Sequence, residues 1–158
     1  MSIESVRSYL TAYNLDDRVM EFDVSSATVE LAAAALGTEP ARIAKSLTFY
    51  GNEGECIMIV TAGDQKIDNA KFKARFGMKA KMMSFEDALA ATGHAVGGVC
   101  PFALPEGVSV FLDVSMQRFD TVYPAAGSSN SAARMTCDEL FRASRALEWA
   151  DLCKSREN

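Results

Sequence analysis

The 158-residue sequence has a single histidine, four cysteines and no apolar run longer than the six residues 31–36. A membrane-spanning helix needs about 20 apolar residues, so none is predicted. Residues 1–10 also lack the basic stretch and apolar core of a secretory signal peptide. The cysteines are widely spaced and form no CxxC pair, which favours free thiols in a reducing compartment. We therefore expect a cytoplasmic protein.

The motifs of several large enzyme classes are also missing. The chain has no GxxxxGK[ST], GxGxxG, HExxH or GxSxG pattern, and its carboxylates form no paired motif. A zinc shell or a Ser-His-Asp triad would depend on His94 alone. We therefore exclude classical nucleotide-binding proteins, metalloproteases and serine hydrolases, and we expect no metal and no organic cofactor.

What is present is the composition of a globular domain. Hydrophobic residues make up 49% and charged residues 23% of the chain, close to the average for folded proteins. No internal repeat, low-complexity tract or linker interrupts it, so we predict one domain over residues 1–158. Strand-type and helix-type patterns alternate irregularly, which favours a mixed α/β sheet over a doubly wound one. Strands are predicted over 18–23, 43–50, 55–62, 79–83, 108–113, 119–125 and 132–135, and helices over 3–13, 28–36, 69–76, 85–92 and 137–146.

The charge distribution is uneven. The net charge of −5 argues against a general nucleic-acid coat protein, yet residues 66–81 carry about +5 and the rest of the chain about −10. A local basic patch on an acidic body can dock a phosphate backbone at one place. The alternative is a solvated helix face beside a lysine-edged strand. The basic residues are Lys66, Lys71, Lys73, Arg75, Lys79 and Lys81.

One lysine interrupts an apolar strand. In the predicted strand 43–50, Lys45 shares a face with Ile43 and Leu47 because side chains alternate along a strand. Such a lysine either extends its ammonium out to solvent along the apolar surface or is an anchored cation at the mouth of a pocket.

The loop Gly97-Gly98-Val99-Cys100-Pro101 is the least ordinary segment. Adjacent glycines let backbone N–H groups approach a ligand, and the proline fixes the exit of the loop. The loop is therefore either a tight structural turn or a backbone cradle for a phosphate or a developing oxyanion.

In their order and spacing over about residues 21–152, these features resemble the YbaK/prolyl-tRNA synthetase-associated editing domain family. The resemblance implies a mixed α/β (α+β) domain with a central, partly barrel-like sheet surrounded by helices. The markers are the helix 28–37, the segment 43–49, the strand 57–64, the basic helix, the loop 97–102, the strand 110–113 and the turn 125–128.

The activity that this resemblance implies is hydrolysis, in trans, of the ester of a mischarged tRNA that carries a small amino acid, on tRNA(Pro) or a related tRNA. It implies mischarged aminoacyl-tRNA as the partner, with a synthetase as a transient one, and neither a membrane nor DNA. It also assigns roles to residues: Lys45 as the catalytic polar residue; Gly97, Gly98, Val99, Cys100, Pro101, Gly127 and Ser128 as substrate-binding; and Lys66, Lys71, Lys73, Arg75 and Lys79 as tRNA-binding.

The sequence departs from the family where Cys100 replaces a common serine and in Ala125-Ala126, which leaves the amino acid open among alanine, serine, threonine, cysteine and 2-aminobutyrate. Two other functions stay open. Cys100 could be a nucleophile with His94 as its base, since the two lie six residues apart. Alternatively, the domain could be a non-catalytic RNA- or protein-binding module.

Overall fold

The computed structural model describes residues Ser2–Arg156, whose centre is a six-stranded mixed sheet in the order β8-β6-β2-β3-β5-β9. The strands are β1 (Val19–Glu21), β2 (Ile43–Tyr50), β3 (Cys56–Ala62), β4 (Gln65–Ile67), β5 (Val108–Asp113), β6 (Thr121–Pro124), β7 (Ser131–Ala133), β8 (Met135–Thr136), β9 (Glu148–Ala150) and β10 (Cys153–Ser155). The helices are α1 (Ile3–Thr11), α2 (Val29–Leu36), α3 (Asn69–Phe76), α4 (Phe85–Thr92) and α5 (Cys137–Ala143).

The sheet is built around the hairpin of β2 and β3, which pair in antiparallel fashion along their whole length. Strand β6 runs parallel to β2, and β5 runs parallel to β3. On one face Val60 packs with Leu10 of α1 and Leu140 of α5. On the other face Ile59 packs with Phe72 of α3. The two faces thus have separate apolar cores, and the predicted mixed α/β fold is confirmed.

Helix ends follow the local signals in the sequence. Five residues cap the helices by accepting hydrogen bonds from first-turn backbone N–H groups, and Thr136 does so in the predicted capping box with Glu139. The caps are Ser2, Thr28, Asp68, Ser84 and Thr136. Helices α2, α3 and α4 each end at a glycine in the left-handed region. Within residues 2–156 no helix has the length and apolar character needed to cross a bilayer.

The predicted strand over 79–83 is wrong. This segment forms only an isolated bridge between Phe49 and Met82. The Tyr50 N–H donates to the Lys81 carbonyl (3.0 Å), and the Met83 N–H donates to the Thr48 carbonyl (3.0 Å). The segment therefore covers part of the free edge of β2 without becoming a strand, because the capping residue of α4 follows at once.

Sequence periodicity also missed three short strands, β4, β9 and β10, because three residues are too few for a periodic signal. The predicted strand over 132–135 divides into β7 and β8. Strands β4 and β10 form a separate antiparallel pair, with Gln65 opposite Ser155. This pair lies beside Lys45, whose Nζ donates to the Gln65 carbonyl.

Candidate active site

A small cavity of about 140 Å³ lies where α2 crosses the start of β2. Ala32 and Ala33 of α2 pack against Ile43, and their small side chains let the helix come close to the strand. The opposite wall is formed by the glycine loop and by the residues after β6. Residues lining the cavity include Ala27, Ala32, Ile43, Lys45, Gly97 and Ala125.

Lys45 is half-buried in the wall of this cavity. Its Nζ donates to the backbone carbonyl of Gln65, and among the described residues it forms no ion pair. Burial, with a smaller contribution from the nearby Arg156 guanidinium, lowers the pKa of the Lys45 ammonium. An ammonium has three N–H donors, so Lys45 can donate to a ligand while it stays bonded to Gln65.

The Gln65 carbonyl is held in place by contacts from distant parts of the chain. The preceding residue, Asp64, accepts two hydrogen bonds from Arg118 at 2.7 and 3.1 Å. The Asp64 carbonyl accepts from the backbone N–H of Arg156 at 3.0 Å. Gln65 itself pairs with Ser155. These contacts fix the position of the Lys45 acceptor. No sequence pattern predicted them, because they join segments that lie far apart in the chain.

The two adjacent glycines of the loop serve different geometric needs. Gly97 has a φ of +88°, a left-handed conformation that other residues adopt only with strain. Gly98 lies so close to the next turn that a Cβ atom would be 2.8 Å from the backbone nitrogen of Ser128. The glycine loop therefore packs backbone-to-backbone on the turn at Gly127, and four of the predicted substrate-binding residues come together.

The remaining loop residues point elsewhere. Val99 lines an adjoining groove, Pro101 lines a separate hollow next to Tyr9, and Cys100 is fully buried in the core. The Ser128 hydroxyl bonds within its own turn, 2.7 Å from the Ser131 hydroxyl. Lys45 and Gly97 are thus the two predicted site residues that line the cavity.

The arrangement of Cys100 and His94 does not support covalent catalysis. Both side chains are fully buried, and burial raises the pKa of the Cys100 thiol to about 12. The Nε2 atom of His94 is 3.5 Å from the Cys100 sulfur and 2.8 Å from the Phe102 carbonyl. A carbonyl oxygen only accepts, so Nε2 carries a proton and cannot take one from the thiol. Within residues 2–156, no three His, Cys, Asp or Glu side chains are grouped as metal ligands.

The predicted tRNA-binding residues occupy different environments. Lys71 is paired with Asp151 at 2.9 Å, and Arg75 is paired with Glu148. Lys73 and Lys79 are exposed. Lys66 is exposed on β4, directly opposite Lys154 of β10. Sequence reasoning missed Lys154, which lies far from the basic segment in sequence and joins it only through the β4–β10 pair.

Comparison with known proteins identifies relatives of this chain. Residues 23–143 match the model of the aminoacyl-tRNA editing domain. The chain is 51% identical, over 99% of its length and 100% of the relative, to the uncharacterized protein YwhH of Bacillus subtilis (strain 168). It is 34% identical over 54% of its length to 15% of a proline–tRNA ligase from Pelobacter propionicus. A crystal structure described as a proposed trans-editing enzyme for prolyl-tRNA synthetase superposes with a TM-score of 0.87, at 28% identity and 97% coverage of both chains.

Proposed function

The chain belongs to the aminoacyl-tRNA editing domain family, and from this premise we propose that it hydrolyses, in trans, the ester of a mischarged tRNA that carries a small amino acid. The observation that carries the proposal is the half-buried Lys45 in the wall of a small cavity that Gly97 of the glycine loop also lines. The similarity to proline–tRNA ligases favours tRNA(Pro) or a related tRNA as the carrier.

The cavity volume supports a small acyl group. At about 140 Å³ it is well below the ~300–1,000 Å³ of sites for drug-sized ligands. A synthetase pocket separates amino acids that differ by one methylene by only ~1–3 kcal/mol, so small wrong amino acids are charged. A second site that admits only small acyl groups would remove them.

The reaction requires no protein nucleophile. A water oxygen attacks the ester carbonyl carbon, the bond from that carbon to the ribose oxygen breaks, and the ribose oxygen leaves with a proton as a hydroxyl. The aminoacyl ester is already reactive, so positioning and electrostatic stabilisation supply the catalysis. In this proposal Lys45 anchors the acylated end of the RNA, through a phosphate or the terminal adenosine, and holds the ester against Gly97.

The RNA backbone would approach from the side of β4 and β10. Lys66 of β4 and Lys154 of β10 are exposed and lie directly opposite each other. Strand β4 also carries the Gln65 carbonyl that accepts from Lys45. Two lysines directly opposite in an antiparallel pair repel each other, so an anionic ligand between them is favoured. Lys73 and Lys79 add further exposed charge.

A deacylation panel tests the proposal. Purified protein is incubated with tRNAs charged with alanine, serine, threonine, cysteine or 2-aminobutyrate, and the acyl group that remains is measured over time. We expect rapid loss of at least one small acyl group and no loss of a cognate prolyl group. Binding of these tRNAs without any acyl loss would instead identify a non-catalytic RNA-binding module.

A further inference from the structure

A second groove adjoins the cavity. It has a volume of about 180 Å³, and its residues include Leu47, Met82, Met83, Phe85, Val96 and Val99. The groove and the cavity share two wall residues, Ser46 and Gly97. A ligand that passes these two residues can therefore occupy both spaces at once.

The rim of the groove exposes large apolar side chains. Phe85 is 72% exposed, Val96 60% and Met82 58%. Exposed apolar side chains that are clustered in this way mark an interaction surface. The rim is also held rigidly, because the Met83 N–H donates to the Thr48 carbonyl and the hydroxyl of Tyr50 accepts from the Ser84 N–H at 3.3 Å. The phenyl ring of Phe85 is thus presented to solvent on a fixed helix start.

Ser46 stands at the boundary between the two spaces. Its Oγ atom is buried and has no hydrogen-bond partner among the described residues. A buried hydroxyl without a partner costs free energy, unless a ligand or water supplies the hydrogen bond. Since Ser46 lines both spaces, a ligand that crosses the boundary is well placed to do so.

Continuity with the cavity favours the acylated end of a nucleic acid over an apolar protein segment as the occupant, because the groove and the cavity share Ser46 and Gly97. Two exposed lysines, Lys79 and Lys81, lie three residues and one residue before Met82, and the Lys81 Nζ lies 5.4 Å from the centre of the Tyr50 ring. Two exposed carboxylates, Glu86 and Asp87, directly follow Phe85, so the rim has no net positive charge, and the Asp87 carboxylate accepts a hydrogen bond from the Tyr50 hydroxyl. An exposed aromatic ring with neighbouring lysines is the pattern by which proteins bind single-stranded nucleic acid, through base stacking and backbone attraction.

We propose that this groove binds the terminal nucleobase of the acylated RNA. The base stacks on Phe85, the ribose lies at Ser46 and Gly97, and the acyl group enters the cavity beside Lys45. The inference rests on the proposed function, since it assigns the base and the acyl group of one substrate to two joined spaces. It adds a nucleobase site and a ribose contact, Ser46, to the acyl site.

The test compares three variants in deacylation of the best substrate of the panel. Phe85→Ala should lower kcat/KM roughly 5- to 150-fold, which is the stacking value of ~1–3 kcal/mol converted at ~1.4 kcal/mol per tenfold. Phe85→Tyr keeps the ring and should retain most activity. Leu89→Ala is the matched control, because Leu89 is exposed on the same helix, one turn further, and does not line the groove. An unchanged kcat/KM in Phe85→Ala would overturn the inference.

A binding measurement separates failure of the groove from failure of the enzyme. A CCA trinucleotide should shift the methyl NMR signals of Met82 and Met83, and Phe85→Ala should abolish the shifts. If the wild-type protein hydrolyses no substrate, the proposed function fails, and these shifts alone decide whether the groove binds a base. Equal trinucleotide affinity in wild type and Phe85→Ala overturns the nucleobase site, and loss of synthetase binding in the same variant would then assign the groove to a protein partner.

Discussion

Lys45 and the basic residues of α3 carry the same charge in opposite settings. Lys45 is half-buried without an ion pair among the described residues, and burial lowers the pKa of its ammonium. Lys71 and Arg75 lie at the surface, and the hydrogen bonds that they donate to the carboxylates of Asp151 and Glu148 raise the pKa of each. The contrast teaches that a count of basic residues does not tell which charges are available to a ligand.

Lys45 also differs from Lys71 and Arg75 in how firmly its charge is held in one position. A surface ion pair contributes only ~0–1 kcal/mol, and a phosphate that binds Lys71 or Arg75 first has to displace the carboxylate partner, so its net gain there is small. Lys45 donates to a backbone carbonyl, and it lines a cavity of about 140 Å³. The α3 charges are therefore suited to general attraction, and Lys45 to a defined contact.

The largest expected effect is that of Lys45→Ala. Loss of the anchoring charge should misplace the ester, and a displacement of about 1 Å can cost ~10²-fold in rate. We expect kcat/KM to fall by at least this factor, with little change in the melting temperature. Lys45→Arg should restore little, because a planar guanidinium does not replace a compact ammonium.

Arg142→Ala is the control for this experiment, since Arg142 is an exposed basic residue of α5 that forms no described ion pair and lines neither the cavity nor the groove. It should keep nearly normal kcat/KM. A purely structural Lys45 would give the reverse pattern, a lower melting temperature with normal specific activity. That result would also remove the distinction between the two regions.

The second-largest effect is expected on the salt dependence of tRNA binding. Neutralising Lys66 and Lys154 to glutamine should lower the slope of log affinity against log salt by roughly one to two units, because about two phosphate contacts are lost. Neutralising Lys71 and Arg75 should change the slope less, because those charges already have carboxylate partners. Filter binding of a tRNA over a range of salt concentrations measures both.

The stability of the same variants and the size of their slope changes are also informative. Removing two facing lysines relieves repulsion, so the Lys66 and Lys154 variant should be at least as stable as the wild type. If the two double variants lower the salt slope by the same amount, the carboxylate partners of Lys71 and Arg75 do not prevent these residues from binding phosphates. An unchanged slope for both would place the RNA elsewhere.

The smallest effect is a pH dependence. The pKa of Lys45 is lowered, so its charge is lost at a lower pH than that of an ordinary lysine, and kcat/KM should fall on the alkaline side after uncatalysed hydrolysis is subtracted. Folding penalises the charged form, so the contribution of Lys45 to stability rises as pH rises through its folded pKa. The alkaline fall should be missing in Lys45→Ala. An identical profile in both proteins would assign the titration to another group.

The strand that carries Lys45 was predicted from the sequence, but the contacts around its side chain were not. Strand alternation placed the lysine on an apolar face, and the double glycine marked the loop opposite. The acceptor at Gln65 and the close approach of Gly98 to Ser128 come from contacts between segments that lie far apart in sequence. No periodic pattern contains such contacts, and three-residue strands leave no pattern either.

The groove beside Phe85 could not be predicted from the sequence for a different reason. Met82 and Phe85 fall at the end of a wrongly predicted strand and at the start of a correctly predicted helix, where an apolar residue is ordinary. Their exposure depends on how residues 79–83 follow the edge of β2. Sequence patterns locate elements, and the exposed surface between two elements follows only from their packing.

The pairing of β10 with β4 has a consequence for the order in which the ribosome makes the site. The β2–β3 hairpin that carries Lys45 leaves the exit tunnel early, but the strand that pairs with Gln65 lies about 110 residues later in the chain. At ~5–20 residues per second, that delay is roughly 5 to 20 seconds. A nascent chain would thus contain its lysine before the acceptor is fixed, and the environment of Lys45 would be complete only after synthesis has passed Ser155.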